Sequence, residues 1–183
     1  LRCRCFRMAS PHSAKLCSVN PMWGRFREYP EGKLPRAGVR KKVAVIGGGP
    51  AGIESVKWLL QRGHDVTLYE KSDKVGGHIR DAVAAPFKAD LRDYLRYMED
   101  FAANCGARIL TGTEATPELL EAENYDSIIA AVGADPIIPQ IPGYDRPNVH
   151  WAPDAENGIV ECGENVVIVG GAVLGTEASV NLA

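Results

Sequence analysis

The chain has 183 residues, room for one full domain and part of a second. Its 45% hydrophobic and 24% charged residues are those of an ordinary globular chain, apolar periodicity throughout residues 43–135 argues against disorder, and no apolar run approaches the ~18–20 residues of a membrane helix. The net charge of −2 hides an asymmetry: residues 1–42 hold 11 Lys and Arg against Glu28 and Glu31 (net +9), and the remainder holds 10 basic against 21 acidic residues (net −11).

Residues 1–42 carry four prolines and three glycines and read as an extended arm leading into Lys41-Lys42. Val43–Ile46 is a short β-branched run before glycines, which predicts a buried strand. Ala51–Arg62 places Ile53, Val56 and Leu60 on one helical face, with Gly63 as the stop. Asp65–Glu70 predicts a second strand and closes a β-α-β unit. Lys88–Asn104 repeats apolar residues at helical spacing and ends at Gly106. Ala107–Leu110 predicts a strand, and Thr116-Pro117 the capped start of a short helix. Asp126–Val132 predicts another buried strand, and Pro136, Pro139, Pro142 and Gly143 mark a crossover. Asn165–Val169 is expected to begin a further strand, and Val173–Leu182 a helix. The implied fold is α/β. Residues 1–40 form the arm, 41–140 a first Rossmann-like domain, and 141–183 a crossover with the start of a second.

Two glycine loops carry the chemistry. Gly47-Gly48-Gly49-Pro50-Ala51-Gly52 matches G-x-G-x-x-G between a predicted strand and a predicted helix. Gly47 permits the tight turn, Gly49 lets the backbone approach a pyrophosphate, and Gly52 lets helix and strand pack closely. The N–H groups of the helix start favour the phosphates. Glu70, at the end of the second strand, stands where a carboxylate accepts from ribose hydroxyls. A second loop, Gly170-Gly171-Ala172-Val173-Leu174-Gly175, repeats the pattern with Ala172 at the middle glycine. For the first loop the alternative is a glycine-rich turn without a ligand, with Glu70 an ordinary exposed strand-end acid; at the second, the Ala172 methyl crowds a pyrophosphate slightly.

With these loops the chain resembles the two-dinucleotide-binding-domain flavoproteins. The likeness rests on the first loop, on Glu70-Lys71 followed by Val75-Gly76-Gly77-His78-Ile79-Arg80, and on Ala131-Val132-Gly133, the family's "ATG" motif with Val for Thr. It implies an FAD site using Gly47, Gly49, Pro50, Ala51, Gly52, Glu70 and Lys71. Gly77, His78 and Arg80 would lie near the pyrophosphate and ribityl chain, the backbone of Ala115 near adenine, and Ala131, Val132 and Gly133 on the flavin side. It also implies an NAD(P)H site at Gly170, Ala172 and Gly175.

Five cysteines (3, 5, 17, 105 and 162) are an odd count with three clustered near the start, which suits thiol or metal chemistry in a reducing compartment, hence the cytoplasm. Cys105 falls on an apolar helix face and reads as a core thiol. Cys3, Cys5 and Cys17 precede Val19-Asn20-Pro21 and Gly24-Arg25. This arrangement resembles the cluster segment of the old-yellow-enzyme-like NADH:flavin oxidoreductases, which include 2,4-dienoyl-CoA reductase and trimethylamine dehydrogenase. Cys3-x-Cys5 is one residue shorter than the family's spacing. The resemblance implies that these three thiolates help hold a [4Fe–4S] cluster, soft sulfur suiting iron. A structural zinc site aided by His12 and an Arg-rich targeting peptide are the alternatives.

The likeness covers nearly the whole chain and further implies an N-terminal (β/α)8 barrel partner carrying FMN, with a fragment here that starts between cysteine ligands. Electrons would run from NAD(P)H through FAD and the cluster to FMN and a small unsaturated substrate. Hydride transfer between stacked rings needs positioning rather than an acid or base, so no catalytic side chain is nominated. Neither nucleic acid nor membrane is an expected partner, and homo-oligomers are compatible. The alternatives are an ADP-binding structural module of amine-dehydrogenase type and a small FAD–iron–sulfur subunit of glutamate-synthase type.

Overall fold

The structure is a computed structural model and describes residues 20, 22, 24, 25, 27–29 and 32–183. Its centre is a β-α-β unit. Strand β1 (Lys42–Ile46) buries Val43, Ala44 and Val45, as expected of an apolar run covered on both faces. Helix α1 (Pro50–Gln61) follows, with Pro50 in its first turn, where a missing N–H costs nothing. Strand β2 (Asp65–Tyr69) lies parallel to β1 in the register Lys42↔Asp65 to Ile46↔Tyr69.

A short helix α2 (Ile79–Ala82) and the long α3 (Ala89–Asn104) lead to strand β3 (Arg108–Leu110), which pairs with the outer edge of β2. Helix α4 (Pro117–Ala122) has the expected cap: the Thr116 hydroxyl accepts from the N–H of Leu119 at 3.3 Å. Strand β4 (Ser127–Ala130) then returns to the free side of β1. The sheet order is therefore β3-β2-β1-β4, all parallel.

One face of the sheet builds the core. Val45 and Leu68 pair across β1 and β2 and pack with Val66, Ile53, Val56, Val75 and Met98, all nearly inaccessible to water. Tyr94, Leu95 and Phe101 of α3 close this core from outside, and Cys105 joins its rim half-buried, in keeping with a packing thiol. The opposite face is covered only in part. There Tyr69 meets Tyr125 edge to face and shares a 2.8 Å hydroxyl hydrogen bond with it, while Ile128 stays exposed. Burial, with the Tyr125 contact, pushes the Tyr69 phenol up to about 12.

Beyond β4 the chain runs through the proline-rich crossover to α5 (Ala152–Glu156) and α6 (Val173–Leu182). The strand expected over 165–169 does not form: no described strand lies beside it, and Val166, Val167 and Val169 are exposed. A β-branched run becomes a strand only when a neighbour takes its backbone hydrogen bonds. Helices α2 and α5 are too short to leave a periodic signal, and the sequence reading missed both.

Candidate functional site

The strand order reverses at β1: β2 and β3 lie on one side of it and β4 on the other. In open parallel sheets, ligands bind in the crevice at such a switch point, beyond the carboxyl ends of the strands. Three segments meet there: the first glycine loop after β1, residues 70–80 after β2, and residues 131–136 after β4.

The first glycine loop is set by backbone contacts. Gly47 has φ +101°, and a Cβ on it would stand 2.4 Å from the carbonyl oxygen of Ala131. A Cβ on Gly52 would stand 1.8 Å from the carbonyl oxygen of Gly47. Neither position admits a side chain, so the glycines expected for turn and close packing are required for those reasons. Gly49 differs: a Cβ there meets only the Cα of Gly77, at 3.9 Å. The space in front of it is open.

Helix α1 has no side-chain cap at Gly49. Its first N–H groups have no intrahelical partner, and the helix dipole adds a partial positive charge there. A Cβ added to Gly77 would stand 3.1 Å from the Cα of Gly49, so the cleft is walled by bare backbone. Uncapped donors in a side-chain-free cleft suit an anion of pyrophosphate kind. The residues present therefore fit the phosphate part of a dinucleotide.

Glu70 lies buried beneath the loop. Its carboxylate accepts from the N–H of Gly48 at 2.6 Å and from the N–H of Ser72 at 2.8 Å. Burial opposes the charge, but the N–H groups of Ser72 and Gly48, the Ser72 hydroxyl and nearby Lys71 together hold the carboxyl below its ordinary value. Both oxygens are thus engaged by the protein, one of them on the glycine loop itself. Ser72 was not foreseen; a Ser two residues beyond the acid was the available signal. Lys71 is exposed.

Gly76 donates to the carbonyl of Gly48 at 2.9 Å, which joins the segment after β2 to the first loop. His78 stands between Asp81 and the carbonyl of Ala134. Hydrogen bonding to Asp81 raises its pKa. Burial opposes this, and the Ala134 carbonyl and the charges of Asp81 and Asp135 add to it. Arg80 turns onto α3: its Nε donates to the carbonyl of Val75 at 2.6 Å, and a terminal nitrogen pairs with Glu99. Ala131 touches Gly47 through its carbonyl, Val132 and Gly133 are exposed, and Ala115 lies half-exposed beyond β3.

At the second loop, Gly170 has φ +116° and a Cβ on Gly175 would meet the Gly170 carbonyl at 1.8 Å. Helix α6 also lacks a side-chain cap, at Ala172. Cys3, Cys5, Cys17 and His12 lie outside the described residues. Among the described residues no cluster of three or more His, Cys, Asp or Glu could hold a metal ion. No described helix is long and apolar enough to cross a membrane.

Residues 41–183 match the family described as pyridine nucleotide-disulphide oxidoreductase. The chain is 38% identical over 171 residues to an NADH oxidase of Thermoanaerobacter brockii, covering 91% of this chain and 26% of that protein. It is 35% identical over 163 residues to a cinnamate reductase of Clostridium sporogenes, covering 89% of this chain and 24% of that one. The solved structure of a 2-naphthoyl-CoA reductase in complex with 2-naphthoyl-CoA superposes with a TM-score of 0.82 at 34% identity, covering 92% of this chain and 25% of that one. The chain thus spans about a quarter of each relative's length.

Proposed function

The chain belongs to the pyridine nucleotide-disulphide oxidoreductase family, an FAD- and NAD(P)-binding Rossmann-like fold, and on that premise we propose that it is the dinucleotide-binding part of a flavin-dependent oxidoreductase fed by NAD(P)H. The observation that carries this reading is the uncapped start of α1, set behind a bare glycine cleft at the switch point of the sheet. FAD, when bound, supplies a ring that accepts hydride from a nicotinamide and can release electrons singly.

The chain's own residues bind and orient. The N–H groups at the start of α1 hold the pyrophosphate, and Gly49 and Gly77 leave it room. Glu70 braces Gly48 from below and fixes the loop. The segments holding His78 and Ala131–Gly133 flank the flavin side. The loop at Gly170, Ala172 and Gly175 takes the nicotinamide dinucleotide in the same way.

For the whole protein we propose a [4Fe–4S] cluster held in part by Cys3, Cys5 and Cys17, an FMN-bearing (β/α)8 barrel, and a cytoplasmic setting that keeps the thiolates reduced. Residues 1–40 would form the cluster-bearing arm, 41–140 the FAD domain and 141–183 the start of the NAD(P) domain. The names of two relatives, a cinnamate reductase and a 2-naphthoyl-CoA reductase, support an unsaturated acid or acyl thioester as substrate.

The test is to purify the whole protein, release its cofactors by heat and separate them. FAD alongside FMN, with bleaching of the flavin absorbance by NADH or NADPH, is the expected result. ADP in place of FAD would instead make the domain a structural module and overturn the reading.

A further inference from the structure

The segment after β2 and the crossover after β4 are joined through one side chain. Nδ1 of His78 lies 2.6 Å from a carboxylate oxygen of Asp81, and Nε2 lies 3.1 Å from the carbonyl oxygen of Ala134. Both partners are acceptors. A neutral imidazole has one N–H and can serve only one of them, whereas the imidazolium serves both. Among the described residues, the bond to Ala134 is the one hydrogen bond that ties residues 132–138 to the rest of the protein.

Further contacts converge on the same place. The ring of Trp151, at the start of α5, meets His78 edge to face at 6.4 Å. The side-chain amide of Asn157 donates to the carbonyl of Asp81 at 3.0 Å. Together these segments line an open cavity of about 280 Å3, bordered by His78, Lys88, Asp135, Pro136, Trp151 and Leu174 among others.

We propose that His78, as an imidazolium, is a positioning residue that clasps the crossover to the segment after β2 and so sets the shape of this cavity. The proposal relies on the dinucleotide-binding reading only for what would use the cavity. On deprotonation, the remaining proton stays at Nδ1 against the Asp81 carboxylate, because the charge-assisted bond is the stronger one. The tether to Ala134 is then lost.

The surroundings favour the charged form. Asp81 of α2, Asp135 of the crossover and Glu156 of α5 supply negative charge around the cavity. Among the described residues, Lys88 before α3 is the one Lys or Arg lining it, and it is paired at 2.8 Å with Glu177 of α6.

Trp151 reports on the clasp when Trp23→Phe and Trp58→Phe remove the other indoles of these 183 residues. Its emission is expected to titrate with a midpoint above the ~6.5 of an ordinary histidine. Asp81→Asn, nearly isosteric, is expected to shift that midpoint to lower pH, and His78→Gln to abolish the titration. A titration that survives His78→Gln, or a midpoint unmoved by Asp81→Asn, overturns the proposal. Nitrogen NMR of the unsubstituted chain tests it without any variant. Both ring nitrogens of His78 should be protonated at pH 6.5, and a neutral tautomer there overturns the clasp. Finding no flavin in the whole protein would sink the proposed function and leave this titration as it is.

Discussion

The two glycine loops are nearly the same object locally and different objects globally. Gly47 and Gly170 share a positive φ, and Gly52 and Gly175 each sit 1.8 Å, measured from an added Cβ, from the carbonyl of the loop's first glycine. The N-cap residues Gly49 and Ala172 have almost equal dihedrals, and each accepts a 3.0 Å hydrogen bond from four residues on, from Ile53 and Thr176. Yet β1 before the first loop is the buried centre of a sheet, while residues 165–169 before the second form no strand. Gly48 packs on Glu70 and Val75, whereas an added Cβ on Gly171 meets nothing. A strand–loop–helix turn is therefore encoded by its glycines alone. The strand that should anchor it is not.

Substitutions can break this contrast or sharpen it. The largest difference should lie between the two strand segments. Leu68→Ala empties a fully buried site in the first unit and is expected to cost about 2–5 kcal/mol, against about 0.5 kcal/mol or less for Val167→Ala, which is 88% exposed. Denaturant midpoints check both, and equal losses would show that 165–169 is packed after all.

Next come the loops themselves. Gly52→Ala drives a methyl into the Gly47 carbonyl between a fixed strand and a packed helix, with an expected loss of about 3 kcal/mol. Gly175→Ala makes the same local clash, but an unanchored segment can give way, so thermal melting should move little. A matching drop for both would mean that the second loop is held as firmly as the first.

Glu70→Gln should cost about 1–3 kcal/mol, because the amide offers one acceptor where two backbone N–H groups need them. The sign of its pH dependence follows from the lowered pKa. The stabilisation is fully present above the carboxyl's ordinary value, near 4.5, and is lost as pH falls through the lower folded value. Acid-unfolding curves of the two proteins should therefore diverge at neutral pH and converge in strong acid. Thr116→Ala, which removes the cap of α4, should cost about 1 kcal/mol by the same melting assay.

Much of the fold could be read from local pattern. The strand at 43–46, the helices at 51–62 and 88–104, the Thr116 cap and the return strand near 126–132 each appear within a residue or two. Each is carried by a periodicity or cap that short stretches of chain impose on themselves. The site was legible wherever glycine was the signal, because the absence of Cβ is a property of a single position. It was less legible at Arg80. Nothing in Gly77-His78-Ile79-Arg80 announces that its guanidinium turns to Glu99, nineteen residues on. His78 likewise shows no partner in sequence except Asp81, one helical turn away, while Ala134 lies across the fold.

By itself, then, the sequence determined the class of the molecule: an α/β unit with two glycine-rich turns opening helices and an acid at the end of the second strand. Those features are local, set by side-chain volume, backbone freedom and periodicity over a few residues. Only the tertiary structure decided that β4 crosses to the far side of β1 and creates the switch-point crevice, that Glu70 braces Gly48, and that Val166, Val167 and Val169 stay exposed. These outcomes depend on which backbone groups and charges meet across long stretches of chain, and a partner brought from elsewhere is what local pattern cannot specify.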